Sequence, residues 1–146
     1  FAGSCLFGAK NAGLSEPECK YALNFGYSFG IAFQIQDDIL DVKASSTDTG
    51  KPVNNDISEG IITLPVLLAC ELSDAFKTRV CDFLNNPKSN DVSDIYRQAD
   101  NLGGTDLAIK EAKKYISKCK KNAKRLPDKE SRKEILLLLD NIFTYL

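Results

Sequence analysis

From Tyr21 to Val42 the chain is apolar at helical spacing, and the last turns of that segment read Gln34-Ile35-Gln36-Asp37-Asp38-Ile39-Leu40-Asp41. On a helix, residues three and four apart are neighbours, so Gln34, Asp37, Asp38 and Asp41 share one face. Like charges at that spacing repel by about 0.2–0.5 kcal/mol per exposed pair, and by more where water is partly excluded. A helix rich in Phe, Ile and Leu has no packing need for such a cluster. A divalent cation is the natural compensation. Carboxylate oxygens without His or Cys suit a hard ion, and Mg²⁺ that keeps some waters and bridges to phosphate fits this donor set.

The rest of the chain carries the same helical signature. No segment alternates polar and apolar residues long enough to suggest a sheet. Phe1 to Asn11 is small and apolar, and Gly13 stops it. Ser15-Glu16-Pro17-Glu18 is a helix start, with Ser at the N-cap, Pro in the first turn and Glu three residues on, and the helix it opens is expected to run to about Val42. Gly26 and Gly30, four apart, predict the close approach of another helix or of a ligand tail, or a kink. Lys43 to Gly60 is the one long polar stretch and reads as a surface loop. Further helices are expected over Ile61–Leu72, Asp74–Asn85, Asp91–Leu102, Thr105–Leu126 and Lys129–Tyr145, giving an all-α fold in a single domain, 1–146.

Several function classes are excluded by what is missing. The 146 residues contain no His, so a Ser/His or Cys/His nucleophile is absent. Five cysteines at wide spacing, with no CxxC, argue against a disulfide framework or a zinc site and predict a reducing, cytoplasmic setting. The net charge of −1 gives no whole-chain argument for nucleic acid. The longest nearly apolar run, Ile61 to Cys70, is too short to span a bilayer. Between Lys110 and Lys133, eleven Lys/Arg stand against three acids. They interleave with apolar residues at helical spacing, which predicts a solvated outer face that could also attract anionic diphosphates. The chain has no Met and opens directly on helix-compatible sequence, so a piece of a longer protein is expected.

The stretch Gly30-Ile31-Ala32-Phe33-Gln34-Ile35-Gln36-Asp37-Asp38-Ile39-Leu40-Asp41-Val42 resembles the second aspartate-rich motif of the trans-isoprenyl diphosphate synthases, or polyprenyl synthetases. Gly50-Lys51-Pro52-Val53-Asn54-Asn55-Asp56-Ile57-Ser58-Glu59-Gly60, followed by Thr63-Leu64-Pro65, is similar to the family's next signature. Phe1 to Ala9, with Ala12-Gly13, resembles the helix before them. The resemblance implies an isoprenoid-synthase-type bundle, here its C-terminal portion of about six to seven helices. It implies an enzyme in which Mg²⁺ ions bind the diphosphate of an allylic substrate and the allylic cation is attacked by isopentenyl diphosphate, lengthening the prenyl chain. Metal and lysine would stabilise charge on the leaving diphosphate, and a dry apolar cavity would protect the cation.

Carried over residue by residue, the resemblance makes Asp37, Asp38 and Asp41 the metal side. Asp37 would be a direct ligand and Asp41 would act through water. Gln34 would contact diphosphate or a metal-bound water, and Lys51 would bind the allylic diphosphate. Asp56 would help order its loop or ligate indirectly. Phe29 and Phe33 would border the cavity, or simply be core. The parent protein is expected to be a homodimer without a transmembrane segment and without a nucleic-acid partner. Departures are visible too. The first aspartate-rich motif and the basic residues that hold isopentenyl diphosphate are missing, so this portion is expected to be inactive alone. Ile61 stands where the family usually has Lys. A noncatalytic partner subunit of a heteromeric synthase is therefore the alternative. A terpene cyclase fits less well, because the signature from Gly50 to Pro65 belongs to the elongating enzymes.

Overall fold

The computed structural model describes residues 1–46, 57, 60–86, 92–144 and 146. These form seven helices and, among the described residues, no strand: α1 (Ala2–Asn11), α2 (Glu16–Ser46), α3 (Leu64–Leu72), α4 (Asp74–Asn85), α5 (Val92–Asn101), α6 (Gly104–Ala123) and α7 (Lys129–Ile142). They group into two compact units. Phe1–Gln36 with Glu111–Leu146 make one, and Asp37–Lys110 makes the other.

In the first unit, α1 ends where Gly13 takes φ +71°, a left-handed turn that ordinary side chains resist. The start of α2 is held as its sequence predicts. The Glu18 carboxylate accepts from both the backbone N–H (2.8 Å) and the hydroxyl (2.6 Å) of Ser15, which pulls the Glu18 pKa below its ordinary value. Gly26 and Gly30 are where the N-terminal end of α1 is seated. A Cβ on Gly26 would fall 2.7 Å from the Phe1 carbonyl oxygen, and one on Gly30 would fall 3.1 Å from the Phe1 ring. The glycine pair therefore admits the start of α1, the close approach of another helix that its spacing predicts. Phe29, Ala32, Cys119, Leu139 and Phe143 form one core cluster of this unit, and Ala9, Cys19 and Ala22 form another. Burial pushes the Cys119 thiol up to about 11. All five cysteines are free thiols.

In the second unit, α3 packs on α4 and α5. Its core includes Val42, Ile57, Val66, Phe83, Ile95 and Tyr96. Ser73 caps α4 by accepting from the Phe76 N–H at 3.2 Å. The helix expected from Ile61 begins three residues later, at Leu64. Pro65 is the reason. In a helix that began earlier, its ring would strike the carbonyl of Ile61, four residues back, so Pro65 is confined to the first turn. Ile61 and Ile62 are left exposed, outside the helix. At the other boundary α2 runs past Val42 to Ser46, so the polar stretch begins later than its composition implies.

Candidate functional site

The acidic cluster lies near the end of α2, in the second unit. Asp37 is exposed and has no hydrogen-bond or ion-pair partner among the described residues, while Asp38 and Asp41 are half-buried. Asp38 is fixed by a bond its sequence context does not announce: its Oδ2 accepts from the Leu64 backbone N–H at 2.9 Å. Leu64 is the first residue of α3, and the opening amides of a helix have no partner within it. The carboxylate satisfies one of them and also meets the positive end of the α3 dipole. The side chain of the N-cap residue Thr63 makes no capping bond, so Asp38 does that work from α2.

This bond ties the aspartate-rich motif to the second signature. Two other described residues of that signature are fixed as well. Ile57 is fully buried in the core of the unit, and Gly60 turns the chain at φ +84°, donating its N–H to the Ile57 carbonyl at 3.1 Å. Ile61 follows with its side chain 54% exposed. Lys51 and Asp56 lie outside the described residues.

The remaining selected residues belong to the first unit. Gln34 is exposed. Phe33 is 41% exposed, with its ring stacked on Phe29 (centroids 6.1 Å apart) and tilted against Phe1 (5.6 Å). Phe29 is buried among the core aromatics, so the two phenylalanines divide: one is core and one has an open face. Gln36, inside the aspartate-rich motif, has a structural role that its sequence context does not announce. Its Nε2 donates to the Ile142 carbonyl at 3.1 Å, satisfying an acceptor at the end of α7.

Among the described residues, no group of three or more His, Cys, Asp or Glu side chains is gathered closely enough to enclose a metal ion. The donor chemistry still suits Mg²⁺, an ion that takes one or two carboxylates, keeps several waters and completes its shell with phosphate oxygens. An exposed, unpaired Asp37 fits that role. The first unit also holds an apolar cavity of about 360 Å³ lined by Cys5, Ala9, Leu14, Phe25 and Leu126, among others, but it contains none of the motif residues.

Residues 1–101 match the family model described as polyprenyl synthetase. The chain belongs to the polyprenyl synthetase family. Among curated relatives it is 47% identical over 68 residues to heptaprenyl diphosphate synthase component 2 of Geobacillus stearothermophilus, covering 47% of this chain and 21% of that protein. It is 36% identical over 140 residues to geranylfarnesyl diphosphate synthase of Aeropyrum pernix, covering 92% of this chain and 43% of that one. Its fold matches a geranylgeranyl pyrophosphate synthase from Corynebacterium glutamicum, solved with calcium and isoprenyl diphosphate. The TM-score is 0.81 at 28% identity, over 99% of this chain and 45% of the other. This polyprenyl synthetase chain thus has the helical-bundle fold of the isoprenyl diphosphate synthases. It spans less than half the length of the relatives and structure to which it is matched here.

Proposed function

We propose that this chain carries one acidic side of a Mg²⁺-dependent trans-prenyltransferase site, which joins an allylic diphosphate to isopentenyl diphosphate to make a longer prenyl diphosphate. It would be the C-terminal half of the synthase domain. The observation that carries this reading is the Asp38–Leu64 bond. It couples the two signatures and leaves Asp37 exposed beside a carboxylate already anchored to the fold. Mg²⁺, when bound, would supply positive charge to the departing diphosphate. Asp37 would hold the ion directly and Asp41 through water, while Asp38 fixes the end of α2 to α3. Gln34 would hydrogen-bond diphosphate or a metal-bound water, and Lys51 would add a point charge for the allylic diphosphate. The open face of Phe33 would border the prenyl chain. The calcium and isoprenyl diphosphate named for the C. glutamicum enzyme support a divalent cation and a prenyl diphosphate as the ligand classes.

Isothermal titration of the chain with MgCl₂ and pyrophosphate tests it. Weak binding is expected, lowered about tenfold or more by Asp37→Ala and lowered also by Lys51→Ala. Binding unchanged in Asp37→Ala rejects the site assignment.

A second reading has specific support. Two relatives are named as component 2 of heptaprenyl diphosphate synthases, and Ile61 offers no charge at a position whose side chain is exposed. The chain would then act with a different subunit instead of in a homodimer. Mixing it with the complementary N-terminal half of a synthase separates the two. Mg²⁺-dependent condensation that is lost in Asp37→Ala supports the catalytic reading. Condensation indifferent to that substitution supports the partner-subunit reading.

A further inference from the structure

Charge is divided unevenly between the two units. The first unit holds 12 Lys/Arg and 7 Asp/Glu, the second 7 Lys/Arg and 13 Asp/Glu, so a net charge of −1 conceals formal charges of +5 and −6. The positive excess is concentrated further. Lys113, Lys114, Lys118 and Lys121 of α6, with Lys124 and Arg125 just beyond its end, are all exposed. At about 100° per residue the four on α6 fall within an arc of roughly 140°, over roughly 12 Å of helix. Ala112, Cys119 and Ala123 are buried on the opposite face. No acidic residue occurs between Ala112 and Pro127. Lys114 is paired with Glu111 and Lys118 sits over the Tyr115 ring at 4.3 Å, but Lys113, Lys121, Lys124 and Arg125 have no ion-pair partner among the described residues.

A helix that needed only solubility would gain by mixing signs, because like charges three and four apart repel. A strip of one sign needs an anionic counterpart with repeated charges. A single small anion would meet one or two of these lysines, and neither of two cavities in the first unit, one lined by Phe25 and Leu126 and one lined by Leu6 and Leu23, includes them. A second observation selects the counterpart. On α7, Leu137 and Leu138 are 61% and 52% exposed, side by side. Asp140, one turn further on, is joined to Lys120 of α6 at 2.7 Å. Exposed leucines have no use on a phosphate backbone. On a helix ion-paired to the basic one, they match the interfacial pattern of proteins that lie on membranes.

We propose that the α6 strip, with Leu137 and Leu138, docks this chain on an anionic lipid bilayer. The cations would meet lipid headgroups and the leucines would enter the headgroup boundary. Such docking is separate from the diphosphate chemistry assigned to the acidic end of α2.

Co-sedimentation with unilamellar vesicles tests it, using neutral phosphatidylcholine and the same lipid with about one third phosphatidylglycerol. Binding is expected to the anionic vesicles alone and should fade as salt shortens the Debye length. The triple variant Lys113→Glu, Lys121→Glu, Lys124→Glu should lower partitioning by about a hundredfold or more, at about fivefold per basic residue. Leu137→Ser with Leu138→Ser should weaken binding while leaving its salt dependence intact. Lys10→Glu, Lys20→Glu, Lys77→Glu, which makes the same change in net charge elsewhere, should bind like the parent chain. Circular dichroism confirms that each variant remains helical. The proposal is overturned by equal binding to neutral vesicles, by no binding, or by equal loss in the control variant. Unchanged binding in the leucine variant, or displacement by stoichiometric pyrophosphate or oligonucleotide, also overturns it, since either outcome marks a general polyanion site.

Discussion

Replacing Gly26 with alanine tests how α1 is seated on α2. The new Cβ would lie 2.7 Å from the Phe1 carbonyl oxygen, 2.8 Å from Cys5 Sγ and 2.9 Å from Ala2 Cα. Ordinary carbon contacts sit near 3.5–4.0 Å, so the start of α1 must retreat by about 1 Å. Two of the three obstacles are backbone atoms and cannot swing aside. The retreat also draws the Phe1 ring from Phe29 and Phe33, now 4.9 and 5.6 Å away between centroids. Alanine gains about 1 kcal/mol over glycine inside a helix. Overpacking costs about 1–3 kcal/mol, and each aromatic pair contributes about 0.5–1.5 kcal/mol. The net expectation is a loss of about 1–3 kcal/mol. Gly8→Ala is the matched control: it lies within α1, and its Cβ would meet nothing within 4 Å. It should gain about 0.5–1 kcal/mol from propensity alone. Urea unfolding followed by far-ultraviolet circular dichroism should show the midpoint falling for Gly26→Ala and rising for Gly8→Ala, with unchanged slopes. A Gly26→Ala midpoint at or above that of the parent chain would refute this seating of α1.

Asp38→Ala should destabilise the chain by about 1 kcal/mol through loss of the α3 cap. Asp38→Asn, which keeps an acceptor for Leu64, should recover part of that loss in the same unfolding assay. Asp94 is paired with Arg97 and Arg79, and the hydrogen bond from Arg97, followed by that from Arg79, holds its pKa below the ordinary 3.8. A depressed carboxyl stabilises the fold above its unfolded pKa. That stability should therefore be complete above about pH 5 and decline as pH falls through 4 toward the folded value, and Asp94→Asn should flatten this acid limb of thermal melts. Iodoacetamide followed by peptide mapping should modify exposed Cys81 first, while buried Cys119, whose thiol is raised to about 11, should react only after unfolding.

Features that depend on near neighbours were legible in the sequence. Ser15 and Glu18 start α2, Gly13 ends the turn before it, and the extents of α4 to α7 follow apolar spacing to within a few residues. Features that depend on distant partners were not. Gln36 reads as one more residue of an acidic motif until its bond to Ile142 is seen, 106 residues away. Phe29 and Phe33 have the same chemistry and lie on nearly the same face, and only tertiary packing makes one core and leaves the other half open. Asp38 is the instructive case. A carboxylate on an apolar helix needs a positive partner, and for three aspartates on one face a shared cation is the partner their spacing suggests. A helix N-terminus is also positive, and α3 presents one to Asp38 from 26 residues downstream. Local spacing cannot tell these partners apart, because both answer the same electrostatic need. The Pro65 that confines the start of α3 to Leu64 was the one clue, since it fixes where a first-turn amide needs an acceptor. One amide draws Asp38 Oδ2 into the scaffold, while Asp37 has no hydrogen-bond or ion-pair partner among the described residues.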